Sequence, residues 1–209
     1  MKITAIITAA GNSTRFNGDK IFADLNGIFV IQKTLNAFLE HDKIDEIVVT
    51  YNKSNESRLN ELNIKDKPVT FIEGGETRTE SVKLALKQAK GDIVLIHDGA
   101  RPYITEKIIT DCITKVLENG SAVCATPVTD TIAEVKNGAI IQNFKRSFLY
   151  KIQTPQGFYY KDINNAYKSL EKDEGYTDDS QVYGKLFEKA YIFVGSEENI
   201  KITYKSDLK

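Results

Sequence analysis

Residues 6–16 read IITAAGNSTRF, an apolar run that stops abruptly at small residues and continues into a polar loop. A buried strand that ends in a glycine-containing turn is typical of the ligand-binding edge of an open α/β sheet. The turn that holds a dinucleotide needs the pattern Gly-x-Gly-x-x-Gly. Here Gly11 is the only glycine, and small polar residues occupy the next three positions. The loop is therefore expected to hold its ligand in another way, with the basic residues Arg15 and Lys20 close by.

Short β-branched runs alternate with helical patterns along the rest of the chain. The predicted strands are Ile3–Thr8, Glu46–Tyr51, Val69–Glu73, Ile93–His97, Ala122–Thr126 and Tyr191–Val194. Apolar residues at helical spacing predict helices over Val30–Leu39, Ser81–Ala89 and Glu106–Leu117, the last with Thr105 as N-cap and Gly120 as its stop. This alternation predicts an α/β fold, with a mostly parallel twisted sheet flanked by helices.

Bulk properties exclude several classes of function. The chain has 209 residues and a formal net charge of −1, so nothing favours nucleic acid or an anionic membrane as a partner. No apolar stretch is long enough to span a bilayer, and the N-terminus lacks a signal-peptide pattern. Cys112 and Cys124 lie in apolar surroundings, which favours two buried reduced thiols over a disulfide. A cytoplasmic protein is expected.

The segment DTIAEVKNGAIIQNF, which starts at Asp130, interrupts the alternation. Two alternating apolar arms flank Asn137-Gly138, and Asn-Gly is a strong signal for a two-residue β-hairpin. A hairpin over Thr131–Phe144 has too little core to be stable alone, so it is expected to pack on the parent domain or on another subunit. From the pattern alone, a surface hairpin with no partner fits equally well.

Polar and basic residues collect where the predicted strands end. The ends carry small and hydroxyl residues together with Arg15, Lys20, Arg78, Arg101 and Lys201. Backbone N–H groups of such loops bind phosphate, and added cations indicate a polyphosphate. A carboxylate directly after a buried strand, here Asp98, is a usual place for Mg²⁺ beside phosphates.

Each of these residues also has a purely structural interpretation. Gly74-Gly75 fits a simple turn, Arg78 a solvated helix residue, and Asp98 a capping residue as readily as a metal ligand. Asp178-Asp179 is favoured as a helix N-cap, and His97 as a structural histidine. No Ser-His-Asp or Cys-His arrangement stands out, which disfavours nucleophilic catalysis. The prediction of a nucleotide site therefore rests on co-location at one sheet edge.

Eight short motifs, in their order and spacing, resemble those of the 2-C-methyl-D-erythritol 4-phosphate cytidylyltransferases, which are nucleotidyltransferases with a Rossmann-like fold. The motifs are AAGNSTRF, DKIFADLNG, GGETRTESV, LIHDGARP, PVTDTI, QTPQGF, TDDS and NIKIT, and the resemblance runs from Ile6 to Leu208. It implies one domain over 1–209, with 129–150 as an inserted hairpin arm that forms a homodimer. It also implies transfer of a cytidylyl group from CTP to methylerythritol phosphate, with release of pyrophosphate, in non-mevalonate isoprenoid synthesis.

The resemblance assigns roles residue by residue. The CTP-binding residues that it implies are Ala9, Ala10, Gly11, Ser13, Gly75, Ser81 and Asp98. The catalytic residues, which would contact the triphosphate, are Arg15, Lys20 and Lys201. The acceptor-binding residues are Arg101, Thr131, Arg146 and Thr154. The implied cofactor is Mg²⁺, with Asp98 as its ligand.

The chain departs from the family pattern at two places in the first loop. Ser13 stands where the family usually has a second glycine. Lys20 follows Arg15 by five residues, whereas the family's lysine usually comes later, after a proline. The reach of Lys20 into the site is therefore a question for the structure. The family's closing helix is also absent from the sequence between NIKIT and Lys209.

The reaction implied by the resemblance also explains why the sequence shows no histidine-based catalytic arrangement. The acceptor phosphate oxygen is already an anion, so alignment and charge stabilisation suffice and no histidine base is needed. Two alternatives stay open at this point: cytidylyl transfer to ribitol 5-phosphate, which differs in the acceptor pocket, and a nucleotide-binding regulatory protein without catalysis. A dehydrogenase is disfavoured because the glycine fingerprint is missing.

Overall fold

The computed structural model describes residues 1–171 and 175–208. The strands are β1 Ile3–Ala9, β2 Glu46–Tyr51, β3 Val69–Glu73, β4 Ile93–Asp98, β5 Ser121–Pro127, β6 Ala133–Lys136, β7 Ala139–Asn143, β8 Tyr150–Tyr159 and β9 Ile192–Val194. The α-helices are α1 Val30–Leu39, α2 Arg78–Leu86, α3 Glu106–Asn119, α4 Tyr160–Lys168 and α5 Asp179–Tyr183. Short 3-10 segments occupy Lys53–Glu61, Arg146–Phe148 and Lys205–Asp207.

Seven strands form one twisted sheet in the order β3-β2-β1-β4-β8-β5-β9. The pairs β3–β2, β2–β1, β1–β4 and β5–β9 are parallel, while β8 runs antiparallel to both of its neighbours. In the register, Thr8 lies opposite Asp98, and Ala9 lies opposite Tyr51. The carboxyl ends of β1, β2 and β4 therefore meet at one edge, which is where the site is built.

Helices cover both faces of this sheet. Alternate residues of β1 point to opposite sides, so Ile7 packs into a core with α1 and α3, and Ile6 packs into a second core with α2, α4 and α5. Both isoleucines are fully buried. Such two-sided burial explains why the strand sequences are apolar throughout and do not alternate.

The fold class and all six predicted strands are confirmed, with bounds that agree to within one residue at each end. One long strand, β8, was missed. The predicted bounds of the helix Ser81–Ala89 are wrong, because the helix spans Arg78–Leu86 and so lies about one turn earlier in the chain. It begins at Arg78 because Thr77 and Glu80 form a capping box, in which the Thr77 side chain accepts from the Glu80 N–H and the Glu80 carboxylate accepts from the Thr77 N–H.

Helix α3 and the hairpin form as predicted. The Thr105 side chain accepts from the N–H of Ile108, and Gly120 ends α3 in the left-handed region at φ 82°. Strands β6 and β7 pair antiparallel around Asn137 and Gly138, whose φ angles of 52° and 79° suit a tight hairpin turn. All of β7 is exposed to solvent.

Cys112 and Cys124 are free and buried, as predicted. Across the residues that the structure describes, no helix has both the length and the apolar character needed to cross a bilayer.

Candidate active site

A cavity of about 420 Å³ opens at the carboxyl edge of the sheet. Four segments line it: the loop after β1, the end of β2, the loop from β3 into α2, and the end of β4. The C-terminal segment adds Lys201. This position is the one that open α/β sheets use for ligands.

The loop after β1 makes its turn without a second glycine. Ser13 takes the left-handed conformation, at φ 51°, and Asn17 does the same at φ 54°. Non-glycine residues adopt this region at a steric cost, which asparagine bears more easily than most. The departure at Ser13 therefore leaves the turn intact. Asn52 steadies the loop from β2, because its Nδ2 donates to the carbonyl of Ala10 at 3.2 Å and to Oδ1 of Asn12 at 2.8 Å.

A glycine pair narrows the cavity opposite this loop. A Cβ added to Gly74 would lie 2.2 Å from the Cβ of Ala10, so the two backbones approach as closely as they do only because residue 74 has no side chain. Ser81 fixes the turn, since its Oγ accepts from the N–H of Gly75 at 3.1 Å and donates to the carbonyl of Thr77 at 2.9 Å. The pair is therefore more than a simple turn.

Asp98 is the centre of a cluster of cations at the bottom of the cavity. Its Oδ2 lies 3.0 Å from Nζ of Lys201 and 3.2 Å from Nε of Arg101, and its Oδ1 lies 3.6 Å from Nε of Arg78. Burial alone would raise the pKa of Asp98, but Lys201, Arg78 and Arg101 outweigh it and hold that pKa far below its usual range. The surrounding cations therefore stabilise the ionised form of this carboxylate.

Lys20 reaches the same cavity despite the short loop. Burial lowers its pKa, and the positive charges of Lys201 and Arg15 lower it further, while Asp98 opposes them. Cations gathered in this way repel one another unless an anion joins them. The arrangement suits a ligand with several negative charges.

Arg78 is held from behind by a buried carboxylate. Its Nη1 and Nη2 donate to Oδ1 and Oδ2 of Asp179 at 3.0 and 2.7 Å, and the hydroxyl of Tyr167 donates to Oδ1 at 2.6 Å. Burial would lower the pKa of Arg78, but Asp179 raises it. The interpretation of Arg78 as a solvated helix residue is wrong, since it joins α2, α5 and Asp98. The N-cap interpretation holds for Asp178, whose Oδ1 accepts from the N–H of Gln181.

His97 is structural, as predicted. Its Nδ1 lies 3.0 Å from Oγ1 of Thr154, and its Nε2 lies 3.3 Å from the carbonyl of Arg101. Since a carbonyl only accepts, Nε2 carries the hydrogen and Nδ1 accepts from Thr154. Burial lowers the pKa of His97 to about 3, so the ring stays neutral. The same Thr154 hydroxyl accepts from the N–H of Asp98 at 3.0 Å, which fixes the start of the Asp98 turn.

The structure brings most of the predicted site residues together. Those that line the cavity are Ala9, Ala10, Gly11, Ser13, Lys20, Gly75, Ser81, Asp98 and Lys201. Arg101 and Thr154 lie directly behind Asp98, which they contact. Arg15 is exposed beside the loop, and Thr131 and Arg146 are exposed next to the hairpin, outside the cavity lining.

Some residues of the cavity escaped the sequence analysis. Asn52 and Lys53 follow β2 directly, and applying the strand-end rule to β2 as well would have found them. Arg78 and Gly74 were noted but not assigned a role. Asp179 was interpreted only as part of a helix N-cap, because its partner Arg78 is 101 positions away and no local pattern connects the two.

The geometry fits one class of protein. A parallel sheet edge with cations gathered around one carboxylate, where His97 is neutral and structural, suits a nucleotidyltransferase of Rossmann-like fold. The family model described as "IspD: 2-C-methyl-D-erythritol 4-phosphate cytidylyltransferase" matches residues 3–209. The chain belongs to this family.

Individual proteins of the family are similar along nearly their whole length. The 2-C-methyl-D-erythritol 4-phosphate cytidylyltransferase of Clostridium novyi (strain NT) is 40% identical over 217 residues, which cover 99% of this chain and 94% of that protein. The protein of the same name from Bacillus mycoides (strain KBAB4) is 37% identical over 98% of this chain and 94% of its own. The solved 4-diphosphocytidyl-2C-methyl-D-erythritol synthase from Anaerococcus prevotii DSM 20548 superposes with a TM-score of 0.88 at 31% identity, covering 99% of this chain and 92% of that one.

Proposed function

We propose that this protein transfers the cytidylyl group of CTP to the phosphate of 2-C-methyl-D-erythritol 4-phosphate and releases pyrophosphate, a step of non-mevalonate isoprenoid synthesis. The observation that carries the proposal is one cavity with a narrow slot on one side and a cationic bottom on the other. The loop after β1 and the Gly74-Gly75 turn, which contact each other at Ala10 and Gly74, wall the slot, and Lys20 and Lys201 stand beside Asp98. A base fits the slot, and a triphosphate fits the cations.

The reaction needs no protein nucleophile. An oxygen of the acceptor phosphate attacks the α-phosphorus of CTP, a new P–O bond forms, and the bond to the β-phosphate oxygen breaks as pyrophosphate leaves. Negative charge builds on the α-phosphoryl oxygens and on the departing pyrophosphate. Lys20, Lys201 and Arg15 are the cations that would stabilise it. The position of Lys201 is set before the substrate arrives, since Asp98 holds its Nζ at 3.0 Å.

The carboxylate of Asp98 fits a Mg²⁺ ion whose other ligands would be oxygens of a bound triphosphate. Mg²⁺ is usually bound by one or two carboxylates together with substrate phosphates. Oδ2 of Asp98 contacts two cations, whereas Oδ1 has only Arg78 nearby, at 3.6 Å, and is the freer oxygen. Within residues 1–171 and 175–208 no group of three or more metal-ligating side chains occurs, so the phosphates would complete the shell. The chemistry that Mg²⁺ would supply is neutralisation of phosphate charge.

We further propose that two chains form a homodimer through the hairpin arm of residues 129–150. Large apolar side chains are exposed on and beside it, among them Ile140 at 66% and Phe148 at 75%. A two-stranded hairpin with exposed apolar residues is poorly stable alone. In such a dimer, Thr131 and Arg146 of one chain would reach the acceptor end of the partner's cavity. The guanidinium of Arg146, with one nitrogen on the carbonyl of Thr129, keeps free donors for a phosphate.

The test is a pyrophosphate-release assay with each nucleoside triphosphate, against methylerythritol phosphate and against ribitol 5-phosphate. We expect release with CTP and methylerythritol phosphate, dependence on Mg²⁺, and little release with the other triphosphates. Faster pyrophosphate release with ribitol 5-phosphate would mean that ribitol 5-phosphate is the acceptor and that the cytidylyl transfer is otherwise as proposed. No release with either acceptor, from a protein that still binds CTP, would favour a regulatory nucleotide-binding protein.

A further inference from the structure

Lys20 lies between a buried anchor and an exposed loop. On its C-terminal side, Ile21 and Phe22 are buried. On its N-terminal side, the chain runs through Asn17 and Gly18, both at positive φ, in a loop that places the lysine only five residues after Arg15. Lys201 and Arg15 repel the ammonium group and Asp98 attracts it, so contacts of the neighbouring residues help to decide where this lysine points.

Asp19, the residue directly before Lys20, is held by three donors. Its Oδ1 accepts from the N–H of Phe22 at 3.3 Å and from Nδ2 of Asn55 at 3.2 Å. Its Oδ2 accepts from Nη1 of Arg58 at 3.0 Å. Asn55 and Arg58 both belong to the 3-10 segment Lys53–Glu61, which follows β2. This segment therefore holds the carboxylate of Asp19, which is not among the residues that line the cavity.

Arg58 is well placed to act as a rigid support. Its Nε and Nη2 donate to the two carboxylate oxygens of Glu61 at 2.9 and 3.2 Å. The guanidinium carbon lies 4.4 Å from the ring centre of Phe22 and 5.1 Å from that of Phe29. A planar guanidinium can stack on rings and bond two carboxylates at the same time, which an ammonium group cannot do. The guanidinium is thus fixed by Glu61 of its own segment and by Phe29, in addition to Phe22, which belongs to the same stretch of chain as Lys20.

We propose that Arg58 is a positioning residue for Lys20: by holding the Asp19 carboxylate, it keeps the lysine of this shortened loop directed into the triphosphate end of the cavity. It also neutralises Asp19, whose negative charge would otherwise lie next to the lysine and repel a triphosphate. The inference rests on the proposed function for its kinetic consequence. The structural part of the inference concerns only the direction of the Lys20 side chain, which can be measured on the protein without any catalysed reaction.

The first measurement is the labelling rate of each lysine in the full-length protein without substrate. An amine-acylating ester is used, with the modified peptides quantified by mass spectrometry. In Arg58→Met, which keeps the contact with the two rings, Lys20 should be labelled several-fold faster than in the unmodified protein, while Lys201 keeps its rate. Glu61→Gln is the matched control, because it removes a negative charge beside Arg58, keeps an amide oxygen that accepts from the guanidinium and leaves the Asp19 contact in place, so its Lys20 rate should equal that of the unmodified protein. An unchanged Lys20 rate in folded Arg58→Met would overturn the inference.

The second measurement is a double-mutant comparison of kcat. Arg58→Met and Asp19→Asn should each lower kcat by about tenfold to a hundredfold, as expected when a catalytic group is misplaced by about 1 Å. If Arg58 acts through Lys20, adding Arg58→Met to the Lys20→Ala variant should not lower kcat any further. The positioning role would be contradicted if Arg58→Met lowered kcat in the Lys20→Ala background as much as it does alone. It would also be contradicted if Glu61→Gln lowered kcat as much as Arg58→Met does, and either result would show that Arg58 only supports its own segment. Arg58→Lys, which keeps the charge without the fork, should recover part of kcat.

Failure of the proposed function gives a different pattern. In that case the unmodified protein would release no pyrophosphate with any acceptor, yet Lys20 labelling would still differ between Arg58→Met and Glu61→Gln. Lys20 labelling that is the same in both variants, in a protein that does turn over, would overturn the positioning role alone.

Discussion

Nζ of Lys201 lies 3.0 Å from Oδ2 of Asp98, so the C-terminal segment is joined to the end of the central strand β4 by an ion pair at the bottom of the cavity. Ile202 strengthens this junction, because its N–H donates to the carbonyl of Ala100 at 2.8 Å and its side chain is fully buried. Lys201 is thereby placed before any ligand arrives. A cation that needs no rearrangement at the moment of reaction is the most effective kind.

Removing either active-site lysine should lower kcat much more than it changes folding. We expect Lys20→Ala and Lys201→Ala each to lose about a hundredfold or more in kcat, the usual cost of removing one donor from a preorganised charge-stabilising site. Lys107→Met is the control, since Lys107 pairs with Asp111 on the exposed face of α3. Steady-state kinetics and the melting temperature together give the answer. A near-normal kcat in Lys20→Ala would mean that the shortened loop has taken the lysine out of the reaction.

Gly74→Ala should distort the slot for the base. The new Cβ would stand 2.2 Å from the Cβ of Ala10, so the two loops must separate. We expect the KM for CTP to rise and the preference for CTP over ATP to shrink, because backbone groups that read one base edge lose their spacing. The measurement is kcat/KM with both nucleotides for both proteins. Equal kcat/KM with CTP and ATP in the unmodified protein would contradict the assignment of the slot to the base.

The buried Arg78–Asp179 pair should be a major source of stability. Asp179 is fully buried and accepts from both Arg78 and Tyr167. Asp179→Ala leaves the guanidinium without its main partner, which typically costs about 3 kcal/mol or more of unfolding free energy. Glu118→Ala, which breaks an exposed pair with Lys115, should cost about 1 kcal/mol at most. Urea unfolding measures both, and similar values for the two variants would contradict a structural role for Asp179.

The pH dependence of stability should carry the signature of His97. Burial lowers its pKa to about 3 in the folded protein, against an ordinary value near 6.5. As the pH falls below about 6.5, the unfolded chain takes up a proton on this histidine and the folded protein does not, so stability falls by about 1.4 kcal/mol per pH unit from this group. His97→Gln should remove that slope between about pH 4 and 6.5. His41, whose pKa burial also lowers, is present in both proteins and cancels in the comparison. Equal slopes would contradict a buried neutral His97.

Complementation tests whether the site is shared between two chains. Lys20→Ala and Arg146→Ala should each be inactive alone. Unfolded together and refolded as a mixture, they should recover about a quarter of the normal activity, because roughly half of the dimers are mixed and each has one intact site. Mixed dimers that recover no activity would mean that Arg146 serves its own chain or no site. A chain that is monomeric at assay concentrations would contradict the dimer itself.

The sequence predicted the strands that are apolar on both faces and missed the one that is not. Strand β8 reads YKIQTPQGFY, and its polar residues interrupt any apolar pattern. They are tolerated because distant partners satisfy them: Gln156 is fully buried, with Oε1 accepting from the N–H of Ser180 at 2.8 Å. Local patterns do not contain such long-range hydrogen bonds. The antiparallel strand in the middle of the sheet could therefore be found only from the structure.

The same distinction holds for the site. Asp98 and Lys201 were placed in one site correctly, Asp98 because it ends the buried strand β4 and Lys201 because of the motif NIKIT. The supports behind them were not found: Asp19 and Arg58 lie 39 positions apart, and no local signal connects them. Residues that line the cavity can be predicted because many of them directly follow a strand. Residues that hold them in place cannot, because their contacts depend on how separate segments pack.

The central claim is that a phosphate ester becomes linked to CMP, and phosphorus NMR observes that linkage directly. CTP, Mg²⁺ and 2-C-methyl-D-erythritol 4-phosphate are incubated with the protein and followed with time. The account predicts that the phosphomonoester signal disappears as two coupled diphosphate signals and free pyrophosphate appear in equal amounts. It also predicts that this conversion fails in Lys201→Ala. A phosphomonoester signal that stays constant in the presence of the folded, CTP-binding protein would contradict the claim.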